Sequence, residues 1–332
     1  MHSTKPKHPL FDSLKCGKLL EIELPLIEEG LLKVLQSTSK ARLLYEASLH
    51  PILSGGKRVR PLLTLVSCES VGGDFRKALP EAIAIELIHT ASLIHDDLID
   101  QDLERRGSPT VHVKYGVDLA TLAGDLLISK AMHILSSSPG KIREIVSQAC
   151  VQMCEGECMD MIFKKHPEAV TEENYLEMAK KKTGALVRAA AMCGAIIGGG
   201  SNRQVEALSK YGEFVGLSLQ LRDDVQEILI AVAGCGAATT NRLLGEGSNL
   251  VLIHSFNSSD RPSRDSLRNL VASNAGYHRT RDAIRLLRNS TSIHHVQNLS
   301  KKFKEKAKKA VSGMNFCNEG ILEDLVEMVS QY

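Results

Sequence analysis

The chain has 332 residues, 43% of them hydrophobic and 24% charged, which is typical of a globular protein with a sizeable core. Its formal net charge is +2, tryptophan is absent, and only 4% of the residues are aromatic. Neither a basic surface nor a stacking platform for nucleic acid is therefore expected. No apolar run is long enough to span a membrane and no signal or transit peptide is recognisable, so we expect a cytoplasmic protein without a transmembrane segment.

The hydrophobic pattern predicts helix along almost the whole chain, because strand-like alternation is scarce. Helices are predicted at 17–37, 57–70, 80–104, 118–135, 141–162, 172–197, 203–231, 264–289, 297–312 and 319–331. We expect a flexible N-terminal segment at 1–16 and an irregular segment at 232–262, which is rich in Gly, Ala, Asn and Ser. Since no change in composition suggests a linker, the prediction is an all-α fold, a helical bundle with one domain across 1–332.

Aspartates end the predicted helix 80–104, which is otherwise apolar on nearly all sides and so is expected at the centre of the bundle. In the segment LIHDDLIDQD (93–102), Asp96 and Asp100 are four residues apart and share a helix face, with Asp97 beside them. One interpretation is a solvated helix end. The other is a magnesium site, because clustered carboxylates repel one another unless a cation neutralises them, and hard oxygen ligands favour Mg²⁺.

A second acidic cluster has the same spacing. The segment SLQLRDDVQEI (218–228) contains Asp223, Asp224 and then Glu227, again near the end of an apolar helix. If the two helices face each other, their carboxylates are able to hold several Mg²⁺ ions around one diphosphate. The repeated spacing favours the metal-site interpretation over two unrelated helix ends.

Two basic groups accompany the acidic clusters. The segment SGGKRVRP (54–61) places Lys57, Arg58 and Arg60 after a pair of glycines, and Arg105 and Arg106 follow the first acidic cluster. Arginine side chains bind phosphate oxygens through two parallel hydrogen bonds. The alternatives are an exposed helix start for the first group and, for the second, simple pairing with neighbouring acidic side chains.

The cysteines and the lysine-rich segment have plainer interpretations. The eight cysteines are expected to be reduced thiols in a cytoplasmic protein. Cys150, Cys154 and Cys158 recur every four residues on one predicted helix face, where small buried side chains are the preferred interpretation and a metal site is the alternative. The run KKFKEKAKKA (301–310) is expected to be a solvated helix face.

The order of these motifs resembles that of the trans-isoprenyl diphosphate synthase (polyprenyl synthetase) family, most closely its geranylgeranyl diphosphate synthase-like or longer-chain members. The resemblance rests on LIHDDLIDQDLERRGSPTVH, on SGGKRVRP before it and on LQLRDDVQE after it. It also includes AGDLLISKA (123–131) and YLEMAKKKTGAL (175–186). It extends from roughly Leu43 to Glu227.

The resemblance implies an isoprenoid synthase fold, in which helices surround a deep central apolar cavity, and a homodimer. It implies a reaction that joins an allylic diphosphate to isopentenyl diphosphate, head to tail. The roles it implies are as follows: Asp96, Asp97, Asp100 and Asp223 bind two or three Mg²⁺ ions, helped by Asp224 and Glu227; Arg105, Lys182 and Gln220 contact the allylic diphosphate; Lys57, Arg60, His89 and Arg106 hold isopentenyl diphosphate; and Thr183 lies near the developing carbocation.

Product length is expected to depend on what blocks the cavity. The residues one turn before the first acidic cluster are Ala91 and Ser92, where family members that make short products often have a bulky aromatic side chain. Small side chains leave room for growth, so the predicted product has twenty carbons or more.

The second half of the chain departs from the family pattern. Leu219 replaces the usual phenylalanine, Glu227 replaces an aspartate, and Ser248 lies where the family has a lysine. No lysine occurs between residues 211 and 300, so a loop expected to cover the diphosphate has lost positive charge. Two alternatives to an active synthase remain open: a non-catalytic or modulatory subunit of a heteromeric prenyl synthase, and a terpenoid enzyme that only ionises its diphosphate substrate.

Overall fold

The computed structural model describes residues 17–36, 40–232, 248–259, 287, 291–317 and 319–330. Over these residues the regular structure is almost entirely helical, which confirms the all-α prediction. The segment 1–16 and nearly all of the predicted helix 264–289 lie outside the described residues. No helix of the described part is long and apolar enough to cross a membrane.

The chain divides into two compact units, and the predicted single domain stays a prediction. The first unit comprises Met1–Ser147, Ala189–Ser209 and Ala310–Gln331, and the second comprises Gln148–Arg188, Lys210–Lys309 and Tyr332. The elements in chain order are α1 (Gly17–Leu35), α2 (Arg42–Leu53), α3 (Val59–Ser70), α4 (Leu79–Ile99), β1 (Glu104–Arg105), β2 (Ser108–Pro109), α5 (Val111–Tyr115), α6 (Val117–Leu135), α7 (Gly140–Lys165), α8 (Glu172–Ala179), α9 (Ala185–Ile197), α10 (Asn202–Val232), α11 (Leu250–Ser258), α12 (Ser292–Val311) and α13 (Glu319–Ser330).

Helix α4 is the central element of the first unit and carries the first acidic cluster. It begins with Pro80 in its first turn, where a proline removes no helical hydrogen bond. Its side chains are buried along most of its length, and it packs against α3 and α6. This all-round burial explains why the segment is apolar on every side and confirms its predicted central position.

The predicted extension of this helix to residue 104 is wrong. Helix α4 ends at Ile99, and the chain then forms a short antiparallel hairpin that pairs Glu104 with Pro109 and Arg105 with Ser108. The hairpin turn consists of Arg106 and Gly107, both with positive φ, as a two-residue hairpin turn requires. This turn directs Arg105 back along the end of α4.

Close backbone contacts position the polar residues of the second unit. The five residues Lys180–Gly184 form one π-helical turn between α8 and α9. A Cβ atom at Gly156 of α7 would lie 2.3 Å from the backbone nitrogen of Lys182. One at Gly216 of α10 would lie 2.7 Å from the Cα of Gly184. Glycine is therefore required at both positions, because α7 and α10 approach the backbone of the π-helical turn this closely.

Three helices, α2, α5 and α11, were not predicted from the sequence. Helix α2 contains Pro51 in its last turn, and α11 lies inside the segment 232–262 that was expected to be irregular. Asn249 begins α11 by accepting a hydrogen bond from the Val251 N–H, and the apolar residues that follow are buried in the core of the second unit. The irregular-segment prediction is therefore wrong for 250–258.

Candidate active site

An arginine lies on the acidic end of α4. Arg105 Nε donates to Asp97 Oδ1 at 2.6 Å, and its Nη2 donates to Asp96 Oδ2 at 3.2 Å. The same Nη2 lies 3.8 Å from Asp102 Oδ2. The structure thus brings together three predicted site residues, and it also contains part of the simpler pairing that was the alternative for Arg105.

The aspartates of this cluster differ in accessibility. Asp97 is buried, and burial raises its pKa to about 6 although the neighbouring Arg105 acts in the opposite direction. Asp96 and Asp100 are partly exposed. The carboxylates best placed to meet a ligand are therefore those of Asp96 and Asp100, with Asp97 behind them.

Among the described residues, no three or more His, Cys, Asp or Glu side chains gather in a way that would hold a metal ion alone. Magnesium is commonly bound by one or two carboxylates, with waters and substrate phosphates completing its shell. Accessible carboxylates at one helix end fit that mode of binding, in which the diphosphate supplies the remaining oxygen ligands.

The basic group before α3 divides into a structural part and an accessible part. Arg58 is buried, with a left-handed φ of 50°, and pairs with Glu28 at 2.8 Å and Glu86 at 2.9 Å. It also donates to the carbonyl of Ile52 at 2.9 Å. The charge of Arg58 is therefore neutralised by carboxylates of the protein, whereas Lys57 is exposed.

Arg60 and His89 form a second contact among the predicted site residues. Arg60 Nη1 and His89 Nε2 are 3.0 Å apart. Burial and the nearby guanidinium groups of Arg60 and Arg106 hold the pKa of His89 well below its ordinary value. A neutral imidazole accepts the hydrogen bond from Arg60 and thereby orients it. Arg106 donates to the carbonyl of Gly55, so the glycine pair and the hairpin turn are joined.

In the second unit, Lys182 is held by two acidic side chains of α7. Its Nζ lies 2.6 Å from Asp160 Oδ2 and 2.8 Å from Glu157 Oε2. Neither acidic residue was singled out from the sequence, although a three-residue spacing places both on one helix face. The pair fixes the position of Lys182 on the π-helical turn.

A hydrogen-bonded chain links Thr183 to Asp224. Thr183 Oγ1 donates to Gln220 Oε1 at 2.7 Å, and Gln220 Nε2 donates to Asp224 Oδ1 at 3.1 Å. Tyr175 Oη donates to Asp224 Oδ2 at 2.6 Å, and the Leu250 N–H donates to the same oxygen at 3.0 Å. Both carboxylate oxygens of Asp224 are therefore occupied by protein donors.

The three acidic residues of the second cluster therefore differ in their exposure to solvent. Asp224 is buried, and burial raises its pKa to about 7, while the hydrogen bonds from Tyr175 and Leu250 act in the opposite direction. Asp223 is exposed and accepts a hydrogen bond from Nε of Arg222 at 3.1 Å. Glu227 is partly buried, with one carboxylate oxygen 3.4 Å from the amide nitrogen of Asn249. Asp223 is the accessible carboxylate of this cluster.

The two residues predicted to control product length differ in how deeply they are buried. Ala91 is fully buried in the first unit. Ser92 is partly buried, and its hydroxyl donates to the carbonyl of His89 at 2.8 Å. The boundary of the predicted cavity, and the prediction that the two acidic clusters face each other, stay predictions.

The prediction of small buried cysteines on α7 is wrong for two of the three. Cys154 and Cys158 are exposed and Cys150 is partly exposed, because the face on which they recur is directed to solvent. The lysine-rich segment 301–310 does lie on α12; four of its lysines are exposed, Lys304 and Lys308 are partly exposed, and only Phe303 and Ala307 are buried there.

A family model for polyprenyl synthetases matches residues 41–287. The chain belongs to the polyprenyl synthetase family. A geranylgeranyl diphosphate synthase of Methanosarcina mazei is 38% identical over 285 residues, which cover 84% of this chain and 86% of that protein. The family and this relative are prenyltransferases, so the predicted family and enzyme class are confirmed.

Solved structures of polyprenyl synthetases share the fold. Geranylgeranyl pyrophosphate synthetase from Pyrococcus horikoshii Ot3 has a TM-score of 0.87 and 34% identity, with 98% of both chains covered. A polyprenyl synthase from Caulobacter crescentus CB15, complexed with calcium and isoprenyl diphosphate, has a TM-score of 0.85 and 28% identity over 95% of this chain and 96% of that chain. The predicted all-α isoprenoid synthase fold is confirmed.

Proposed function

We propose that this polyprenyl synthetase condenses an allylic diphosphate with isopentenyl diphosphate, head to tail, and makes a trans-polyprenyl diphosphate of twenty carbons or more. The observation that carries the proposal lies within the first unit, which has both an accessible acidic helix end, at Asp96 and Asp100, and an oriented basic pair, Arg60 and His89. A reaction with two diphosphate substrates needs one group that binds metal-bound diphosphate and another that binds diphosphate directly.

Asp96, Asp100 and Asp223 are the proposed Mg²⁺ ligands, because their carboxylates are accessible. Asp97, which is buried, and Glu227, which is partly buried, would assist in binding the metal ions. Asp224 is engaged by protein donors. Bound magnesium ions would neutralise the diphosphate and make it a better leaving group. The Caulobacter relative complexed with calcium and isoprenyl diphosphate supports this combination of divalent metal and diphosphate.

The other residues bind and orient the two substrates in the proposed reaction. Lys57, Arg60, His89 and Arg106 hold isopentenyl diphosphate, and Arg105, Lys182 and Gln220 contact the allylic diphosphate. The allylic C–O bond breaks with its electron pair on diphosphate, the alkene of isopentenyl diphosphate forms the new C–C bond, and a proton is lost. Apolar surroundings exclude the water that would quench the carbocation.

The proposed assembly is a homodimer, inferred from the family resemblance alone. A modulatory subunit remains the second candidate, and the specific observation that favours it is Ser248 in the position where the family has a lysine. A cytoplasmic location stays a prediction.

The experiment is incorporation of radiolabelled isopentenyl diphosphate with Mg²⁺ and either geranyl or farnesyl diphosphate, followed by separation of the products by chain length. Labelled products of twenty carbons or more are expected. Arrest at fifteen carbons with ample isopentenyl diphosphate would contradict the proposed product length. Binding without turnover would indicate the modulatory subunit, and diphosphate release without incorporated label would indicate an enzyme that only ionises its substrate.

A further inference from the structure

We propose that Asp224 is a positioning residue that fixes, through Gln220, the direction in which the hydroxyl proton of Thr183 points. This inference rests on the proposed function, since it concerns the carbocation formed there. It assigns Asp224 a role other than the metal ligation expected from the family resemblance, and it adds Tyr175, which the sequence did not single out, to the residues that prepare the site.

The hydrogen bonds of Asp224 engage both oxygens of its carboxylate with protein donors. Oδ2 accepts from the hydroxyl of Tyr175 at 2.6 Å and from the N–H of Leu250 at 3.0 Å, and Oδ1 accepts from Gln220 at 3.1 Å. The side chain is buried, with the residue only 3% exposed. A metal ion that took over these positions would displace buried donors, and each buried donor left unsatisfied is costly.

The chain of hydrogen bonds has one consistent polarity. In its ionised form, which the hydrogen bonds from Tyr175, Leu250 and Gln220 favour, Asp224 only accepts, so the amide of Gln220 turns its N–H₂ group toward it. The carbonyl oxygen of Gln220 then faces Thr183 and accepts the hydroxyl proton at an oxygen–oxygen distance of 2.7 Å. Since that proton points to Gln220, the lone pairs of the Thr183 oxygen are directed elsewhere, where they are able to stabilise positive charge.

An isosteric substitution reverses this polarity. In Asp224→Asn the side-chain oxygen keeps the bonds from Tyr175 and Leu250, so its N–H₂ group faces Gln220. Two donor groups then oppose each other unless the Gln220 amide rotates. After rotation its N–H₂ group donates to the Thr183 oxygen, and the hydroxyl proton of Thr183 turns away from Gln220.

A second substitution restores the direction without restoring Asp224. In the double variant Asp224→Asn, Gln220→Glu, one oxygen of the carboxylate introduced at position 220 accepts from the amide introduced at position 224. The other oxygen of that carboxylate accepts from the Thr183 hydroxyl. The double variant has the same net charge as the wild type, because the acid and the amide have only exchanged positions. A metal-ligand role for Asp224 predicts no such recovery, because position 224 of the double variant still lacks a carboxylate.

The experiment measures kcat, KM for the allylic diphosphate and the Mg²⁺ concentration for half-maximal rate in the wild type, both single variants and the double variant. We expect Asp224→Asn to lower kcat about tenfold to a hundredfold with unchanged Mg²⁺ half-saturation, and the double variant to recover at least about tenfold of that loss. Asp223→Asn is the matched control, and its Mg²⁺ half-saturation should rise.

Thr183→Val provides an independent arm. If Asp224 acts through the hydroxyl of Thr183, adding Asp224→Asn to Thr183→Val should produce no further fall in kcat. Circular dichroism and Tm of every variant separate a rate effect from misfolding. No incorporation of label by the wild type would refute the proposed function. An active wild type with no recovery in the folded double variant, or with Mg²⁺ half-saturation raised by Asp224→Asn, would overturn the positioning role.

Discussion

Arg105 donates to Asp97 at 2.6 Å, so the most buried carboxylate of the first acidic cluster is held by a guanidinium group from the adjoining hairpin. The same guanidinium reaches Asp96 at 3.2 Å. An arginine in this position competes with a cation for carboxylates that are expected to help bind magnesium. Arg105 and Mg²⁺ alone are therefore expected to compete for these carboxylates until diphosphate gives the guanidinium another partner.

Substitution of Arg105 should reveal this competition. Arg105→Gln leaves Asp97 buried without its cation, so the free energy of unfolding in the absence of metal should fall by about 1–3 kcal/mol. Mg²⁺ alone, without diphosphate, should then raise the Tm of the variant more than that of the wild type. Differential scanning fluorimetry with a Mg²⁺ titration measures both effects. Equal Mg²⁺ responses in the two proteins would contradict the competition.

Arg58 and Arg60 come from one motif but should respond differently to substitution. Arg58→Met leaves Glu86 buried without its salt-bridge partner, so we expect a loss of about 3–5 kcal/mol in the free energy of unfolding. Arg60→Met should retain most of the stability and raise the KM for isopentenyl diphosphate. Urea denaturation and steady-state kinetics measure the two effects, and a stable Arg58→Met protein with a raised KM would reverse the assignment.

Glu23 should make the protein less stable as the pH rises. It is fully buried on α1, and burial followed by the nearby Glu69 raises its pKa from 4.5 to about 8. Between these values the folded state binds more protons than the unfolded state, so stability falls with rising pH by up to about 1.4 kcal/mol per unit. The contribution of protonated Glu23 to stability is fully present below pH 4.5 and is lost above pH 8.

Glu23→Gln should make this fall in stability less steep, leaving the parts contributed by Asp97 and Asp224, whose pKa values burial also raises, and it should increase the stability at neutral pH by about 2 kcal/mol. Urea denaturation at a series of pH values between 5 and 9 is the measurement, with Glu21→Gln, an exposed position on the same helix, as the matched control. A Glu23→Gln protein that loses stability with pH as steeply as the wild type would show that another group titrates.

Ser92 and Ala91 should respond differently to an aromatic substitution. Ser92 is partly exposed, so Ser92→Phe should fold and shorten the main product toward fifteen carbons. Ala91 is fully buried against its neighbours, so Ala91→Phe overpacks the core and should cost about 1–3 kcal/mol of stability. Chromatography of the labelled products and Tm measurements test the pair. An unchanged product from a folded Ser92→Phe enzyme would place the block elsewhere.

The sequence predicted what depends on local pattern. The apolar run that ends in Asp96 and Asp100 identified both the central helix and its charged end, since helical spacing alone places these side chains together. The motif order around them identified the family. These features are encoded within a few neighbouring residues, so no tertiary information was needed.

Tertiary contacts explain what the sequence did not predict. The burial of Asp224 depends on Tyr175 and on the N–H of Leu250, which are far from it in sequence and have no local signature. Helix α11 was hidden because a short buried apolar run has no helical periodicity of its own. The hairpin at Arg106–Gly107 was not predicted, because the helix pattern before it continues without a break and the helix was therefore extended to residue 104.

The most direct test of the account is the rate of incorporation of labelled isopentenyl diphosphate by Asp96→Asn, compared with the wild type and with Glu104→Gln, an exposed neighbour outside the site. We predict Mg²⁺-dependent elongation by the wild type and the control. For Asp96→Asn we predict a fall of about a hundredfold or more with an unchanged Tm. A folded Asp96→Asn protein that elongates within about twofold of the wild-type rate would contradict metal-assisted catalysis at this helix end.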